Sequence, residues 1–246
     1  MKFTKYDAIA PDYHFAQINR RSFRRYNAFV EARFVKLCEA VKALAENGGK
    51  DESIKLLDVG CGDGVALYLI REALPDVDLE LHGIEPVEKA LHVARARILT
   101  ATLVAGEASN LPYPDESFDI VITSDVIEHV DHPLVMLEEI RRVLKPTGHA
   151  IIGTPIRRTK HPIDPQHVTE FFVEDFQEMV SQYFGEFKLH ESHNLAPTLL
   201  FNAPTKSFLN WRYAINLLAI LGRNVFLAER TNKTQMFAYM YAICRK

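Results

Sequence analysis

A chain of 246 residues, 48% hydrophobic and 25% charged, can bury one sizeable α/β core with additions, or two small cores, without disulfide or metal staples. Its net charge of −3 excludes a general electrostatic attraction to nucleic acid or to an anionic membrane, leaving only local patches able to bind either. Three cysteines, Cys38, Cys61 and Cys244, are too few and too scattered for a disulfide framework or a zinc cluster, and fit a reducing, cytoplasmic setting.

The opening stretch, Met1 to Tyr13, lacks the apolar centre of a signal peptide. Residues 1–50 read as an N-terminal helical cap: Phe29, Phe34, Leu37, Val41 and Leu44 recur at helical spacing, and Asn47-Gly48-Gly49 ends the run. From Ile54 the pattern changes to short apolar strands alternating with amphipathic helices, the mark of a parallel sheet. Strands are predicted over Ile54–Val59, Leu79–Ile84, Thr102–Ala105, Asp119–Thr123 and His149–Gly153, with helices over Gly64–Ala73, Val87–Leu99 and Pro133–Leu144. The last helix opens on a proline, runs from acids Glu138 and Glu139 to bases Arg141, Arg142 and Lys145, and stops at Pro146-Thr147-Gly148. A Pro- and His-rich loop then leads to about Gln166, followed by a helix over Val173–Tyr183, a sixth strand over Phe187–Glu191, and a final strand over Met236–Cys244, antiparallel at the far side of the sheet. Region 195–230 takes no clear assignment. Its apolar stretch Trp211–Ala228 is broken by Arg212, Asn216, Gly222, Arg223 and Asn224, and falls short of the roughly 20 clean apolar residues of a spanning helix. A soluble protein is expected.

The strongest chemical signal is Leu56-Leu57-Asp58-Val59-Gly60-Cys61-Gly62-Asp63-Gly64, an apolar strand running into a glycine turn that opens a helix. Glycines let backbone approach a ligand and adopt positive φ, and free N–H groups at the helix start hold polar ligand atoms. A purely structural turn gives the same pattern, and dinucleotide enzymes use a related one, although with Gly-x-Gly-x-x-Gly spacing. The next strand ends in Glu85-Pro86, an acid placed to accept hydrogen bonds from ribose hydroxyls, or simply an acid favoured at a helix start.

These two elements resemble successive motifs of class I S-adenosylmethionine (SAM)-dependent methyltransferases. The resemblance continues through Gly106-Glu107-Ala108-Ser109-Asn110-Leu111-Pro112-Tyr113-Pro114-Asp115-Glu116-Ser117-Phe118-Asp119, Val121-Ile122-Thr123-Ser124-Asp125-Val126-Ile127-Glu128-His129-Val130, and Arg142-Val143-Leu144-Lys145-Pro146-Thr147-Gly148. It covers about residues 54–155 in order and is nearest the small-molecule set that includes quinone-biosynthesis and sugar methyltransferases. It implies a Rossmann-like, doubly wound, seven-stranded, mostly parallel sheet under the cap, in a SAM-binding domain over 51–246 with acceptor-side insertions around 155–170 and 195–230. It also implies that Asp58 and the turn of Gly60, Cys61, Gly62 and Gly64 face the methionine moiety, and that Glu85 and Pro86 meet the ribose. Glu107-Ala108, where the family has Asp-Ala, would lie near the adenine, and Ser124, Asp125 and Val126 would form the cofactor floor. Tyr13 closes an aromatic lead-in, Tyr6 to Tyr13, that folds over SAM or packs on the domain.

Two histidines are candidates for the acceptor side. His129 follows Glu128 at the mouth of the fourth strand, in a catalytic, cofactor-side or structural role. His167 lies in Asp164-Pro165-Gln166-His167-Val168-Thr169-Glu170-Phe171, as base or acceptor contact, or as a capping residue. His161, Asp164 and His167 could be drawn as a metal cluster, but prolines interrupt the run, and no metal is expected. Arg20, Arg21, Arg24 and Arg25, and separately Arg157, Arg158 and Lys160, are solvated faces or an anion clamp for a phosphate- or carboxylate-bearing acceptor. The apolar run Trp211–Phe226 covers the active site or the sheet, or else lies at a membrane surface to meet a lipid-linked acceptor. The expected activity is methyl transfer from SAM to an oxygen of a small or glycosidic acceptor. No Asn-Pro-Pro-aromatic run follows the fourth strand, which counts against nucleic acid as partner. The alternatives are a SAM-binding regulatory protein without catalysis and an NAD-dependent oxidoreductase.

Overall fold

The computed structural model describes residues 10–22, 24–47, 53–160, 162, 164, 166–203, 211–228 and 235–246. Expectations for Tyr6–Ile9, for the glycines after Asn47 and for His161 therefore lie outside the described residues. Two helices, α1 (Tyr13–Ile18) and α2 (Ala28–Asn47), precede β1 (Ile54–Val59), α3 (Val65–Ala73), β2 (Leu79–Glu85), α4 (Glu88–Arg97) and β3 (Thr102–Ala105). There follow β4 (Phe118–Ser124), a short 3-10 turn (Ile127–His129), α5 (Pro133–Val143), β5 (Leu144–Pro155), α6 (Val173–Ser181) and β6 (Glu186–Asn194). The chain closes with α7 (Leu195–Asn202), α8 (Trp211–Ile220), a second 3-10 turn (Val225–Leu227) and β7 (Phe237–Arg245).

The seven strands form one sheet in the order β3-β2-β1-β4-β5-β7-β6. Strands β1 to β5 are parallel to their neighbours, and β7 is antiparallel to both β5 and β6. A parallel sheet must be covered on both faces, which is why its strands are nearly continuous apolar runs. Adjacent residues of β1 show the division: Leu57 packs with Ile140, Phe176 and Phe184 on one face. Leu56 packs with Leu67, Ile70 and Val41 of α2 on the other. A third apolar cluster joins Tyr26, Ala28 and Ala32 to Phe201, Ile215, Ala219 and Phe226, so the start of α2 packs against the region after β6.

Element types agree with the expectations and boundaries shift. Gly64 is left-handed (φ 83) and caps α3 from outside the helix. Strand β5 starts five residues early, because Lys145-Pro146-Thr147-Gly148 stays extended and is absorbed by a register break between Phe118↔Leu144 and Ile120↔His149. The unassigned region 195–230 contains α7 and α8. No described helix is long and apolar enough to cross a membrane.

Candidate functional site

The strand order reverses between β1 and β4, and in open α/β sheets ligands bind at such a switch point, outside the carboxyl ends of the strands. A cavity of about 680 Å³ lies there, walled by Gly60, Glu85, Glu107, Ser124, Asp125 and His129 among others. That volume suits a ligand of nucleoside size.

The turn after β1 makes this concavity. Gly60, Gly62 and Gly64 all have left-handed backbone (φ 77, 54 and 83), which side-chain-bearing residues rarely adopt. The N–H groups of Gly60 and Cys61 donate to the Ile84 carbonyl at 2.8 and 3.0 Å, tying the turn to β2. The N–H groups of Gly62 and Val87 donate to the two oxygens of Glu85, each at 3.0 Å, so the carboxylate is held flat between the turn and the start of α4. Pro86 and Ala108 also border the cavity, as does Val126, which packs against Gly60.

Asp58 lies buried at the end of β1. Burial, with the neighbouring Glu85 charge, pushes its carboxyl up to about 8. Gly60 borders the cavity, whereas Asp58, Cys61, Gly62 and Gly64 are not among its lining residues. Tyr13 does not border the cavity and stands edge-on to His14 at 5.3 Å; His14 borders it instead. The reason is a long-range contact: Asp63, fully buried, accepts the N–H groups of His14 and Phe15 at 2.9 and 3.0 Å and fixes which side of α1 faces the turn.

On the β4 side, Asp125 has a left-handed backbone (φ 56) and pairs with Arg33, carried in by α2. Arg33 also lies over the rings of Phe29 and Tyr239 at 5.8 and 5.5 Å, and its Nε finds no hydrogen-bond partner among the described residues. Burial opposes the Arg33 charge, but Asp125, Tyr239 and Glu128 offset it and hold the guanidinium pKa above its ordinary value. Glu128, fully buried, accepts the Thr154 hydroxyl at 3.0 Å; burial, with Asp125 adding to it, pushes its carboxyl to about 8. The Ser124 and Tyr239 hydroxyls are 2.9 Å apart, and burial drives the Tyr239 phenol upward.

The loop after β5 is fastened to this corner. The Val168 and Thr169 N–H groups donate to the Glu128 carbonyl at 2.8 and 3.1 Å, and His129 Nδ1 lies 3.0 Å from the Gln166 carbonyl. The His129 and His167 rings meet edge-to-face at 4.9 Å, and His167 Nδ1 lies 2.7 Å from Glu170 Oε1. His129 borders the cavity and His167 stands behind it. Glu128, His129 and His167 each bring a donor atom within 4.8 Å of the others, a different grouping from the trio drawn on the sequence.

The alternative of an anion clamp is not assembled at the cavity, whose lining includes no arginine. Arg20 pairs with Glu31 and Arg25 with Asp12, while Arg157 reaches the carbonyls of Thr159 and Lys160 and Arg158 that of Phe237. The cavity wall is instead rich in acids, with Glu85, Glu88, Glu107, Asp125 and Asp131 against Lys89. His14, Lys89, Asp131 and His132 border the cavity without a sequence signal that singled them out; Arg33 and Tyr239 become visible only through their long-range contacts.

A doubly wound sheet with a glycine turn, a clamped acid after β2 and a cavity at its switch point defines a nucleoside-binding α/β protein. Comparison with known proteins narrows this. Residues 57–152 match the family model described as Methyltransferase domain. The chain is 31% identical over 173 residues to a demethylmenaquinone methyltransferase of Staphylococcus aureus, covering 68% of this chain and 69% of the relative. It is 35% identical over 112 residues to a ubiquinone biosynthesis O-methyltransferase of Thiobacillus denitrificans, covering 43% and 46%. The chain spans about half the length, or less, of the first curated relatives it matches: 49%, 37% and 46%. Among solved structures, a SAM-dependent methyltransferase from Thermotoga maritima superposes with a TM-score of 0.57 at 21% identity, covering 96% of this chain and 99% of that one. The [4+2]-cyclase SpnF superposes with a TM-score of 0.56 at 19% identity over 85% and 80%. The chain belongs to the class I SAM-dependent methyltransferases. The nicotinamide alternative falls with that assignment.

Proposed function

We propose that this chain transfers the methyl group of SAM to an oxygen of a small-molecule acceptor. The fold alone does not require this, since a cyclase shares it. The observation that carries the reading is the Glu85 clamp beside the left-handed glycines: backbone N–H groups of the turn and of the start of α4 aim both carboxylate oxygens, and the acid borders the cavity where a ribose would lie. Asp58 fits a cationic ligand too: burial first, and the neighbouring Glu85 charge second, raise its carboxyl, and the ammonium of SAM would stabilise its charged form. Pro86, Glu107 and Ala108 form the adenine side of the cavity, and Ser124, Asp125 and Val126 its floor. Cys61, Gly62 and Gly64 shape the turn under the methionine moiety, and Asp63 holds α1 over it with Tyr13 at the helix start.

When bound, SAM supplies an activated methyl group with a good leaving group. The chain supplies alignment and exclusion of water, worth up to roughly 7–11 kcal/mol in favourable models. His129, at the cavity, is the acceptor-side base, and His167, held by Glu170, packs against its ring and fixes its position. The acidic wall favours a neutral hydroxyl over an anionic acceptor. The two quinone-pathway relatives make a phenolic hydroxyl the first class to screen.

Calorimetric titration with S-adenosylhomocysteine tests the cofactor reading. Tight binding by the wild type, weakened at least about tenfold in Asp58→Ala and Glu85→Ala, is expected from the loss of charged hydrogen-bond partners. Binding unchanged in both variants would falsify the assignment.

Proton release gives an independent check. An Asp58 carboxyl near 8 is protonated at neutral pH, and a ligand ammonium prefers it ionised. Affinity should therefore climb as pH rises toward about 8 and flatten above it, with a proton released on binding at neutral pH. Titrations in two buffers of different ionisation enthalpy measure that proton; identical heats in both would sink the idea.

A further inference from the structure

Helices on a globular surface turn polar residues outward and apolar residues in. Helix α8 turns large apolar residues outward as well. Its exposed residues are Trp211, Tyr213, Ala214, Leu217 and Leu218, and the apolar face continues to Leu221, 70% exposed just beyond the helix. Its inner face is Ile215, Ala219 and the polar Asn216, whose side chain accepts the Ala28 N–H at 3.0 Å and donates to the Tyr26 carbonyl at 2.7 Å. The orientation is thus fixed by two hydrogen bonds and the apolar cluster beneath, so the helix cannot roll its leucines inward without breaking them. On the preceding helix, α7, Leu199 and Leu200 are exposed as well. Contiguous outward apolar surface of this kind marks an interaction site.

Charge identifies the occupant. In a chain of net charge −3, residues 204–234 carry Lys206, Arg212, Arg223, Arg230 and Lys233 against the single acid Glu229. The sequence of this segment is basic, and its described part sets the exposed Arg223 close in sequence to Leu221 on a face that carries Trp211 and Tyr213, the composition of helices that lie in the lipid headgroup layer. No described helix has the length and apolarity to cross a bilayer, so contact is confined to the surface. A second copy docked on the same face would set like charges against one another, and an uncharged protein surface would leave the basic excess unanswered. We propose that the outer face of α7 and α8 docks on an anionic lipid surface. This stands apart from the methyl-transfer reading, because none of these residues borders the cavity.

Trp211 is the only tryptophan of the chain and sits on the proposed face, so its fluorescence reports contact directly. The full chain is mixed with vesicles of phosphatidylcholine and phosphatidylglycerol in equal parts, and with phosphatidylcholine alone. Emission is expected to move to shorter wavelength, and the protein to float with the vesicles, only where phosphatidylglycerol is present and less so at high salt. Leu217→Glu/Leu221→Glu should weaken flotation at least about tenfold while S-adenosylhomocysteine binding stays at its wild-type value, whatever that is. Unchanged Trp211 emission with the mixed vesicles, or flotation of the double variant equal to wild type, would overturn the proposal. So would a dimer, seen by light scattering without lipid, that the double variant abolishes. If the double variant does not fold, the wild-type emission decides alone.

Discussion

Gly60→Ala is expected to destabilise the protein by about 2–5 kcal/mol and to reduce S-adenosylhomocysteine affinity more than a hundredfold. Two effects add. The backbone at Gly60 is left-handed (φ 77), a conformation that costs about 1–2 kcal/mol for a residue with Cβ. A Cβ there would also lie 2.4 Å from Val126 Cγ2, so either the valine leaves its rotamer or the turn moves off β4. If the turn moves, the Gly62 N–H leaves Glu85, and the acid loses one of the two donors that aim it. Denaturant titration measures the stability and calorimetry the affinity. The companion Gly60→Ala/Val126→Ala removes the clash and keeps the backbone strain, so it should recover part of both losses. Wild-type affinity in Gly60→Ala would mean that the turn does not cradle the ligand.

Arg33→Leu is expected to destabilise by about 1–3 kcal/mol, between the cost of breaking an exposed pair and that of breaking a fully buried one, because the pair is partly buried and Asp125 borders the cavity. The penalty should depend on pH in a defined direction. Glu128 has a folded pKa near 8, raised by burial first and by Asp125 second, so its contribution to stability is complete below the ordinary carboxylate range and is lost as pH rises through about 8. Arg33 opposes that rise. Without it the Glu128 carboxyl goes higher still, and the variant falls further below wild type at about pH 9 than at about pH 5. Urea unfolding at both values tests this. Restoration by Arg33→Leu/Asp125→Asn would locate the penalty in the abandoned Asp125 charge; an equal penalty at both pH values would show that Arg33 acts through packing alone.

The sheet was legible because a parallel strand buried on both faces leaves a local signature, as in Leu56-Leu57 and Val121-Ile122, and glycines at alternate positions mark the turn. The acid after β2 was legible from its place at a strand end. What escaped depends on contacts distant in sequence. Lys145–Gly148 reads as a helix stop, and it does stop α5, but pairing with β4 keeps it extended. Tyr13 and His14 compete for one place over the turn, and Asp63, 49 residues from His14, settles it. Glu128 stood within a motif and gave no sign of full burial, which depends on Thr154 and on Arg33 arriving from α2. Region 195–230 was opaque for a physical reason: α8 has an outward apolar face, so its pattern contradicts the rule by which exposed helices are read.

The bonds from Asn216 to Ala28 and Tyr26 join residues 188 and 190 positions apart. Closing so long a loop costs entropy before the contact returns anything, so this clasp should form late, on a sheet already assembled. During synthesis Tyr26 and α2 emerge well before Phe201, Ile215 and Phe226 arrive to cover Tyr26. Until then that apolar surface is exposed, and the interval between emergence and clasping is the time in which a nascent chain is open to chaperones and to aggregation.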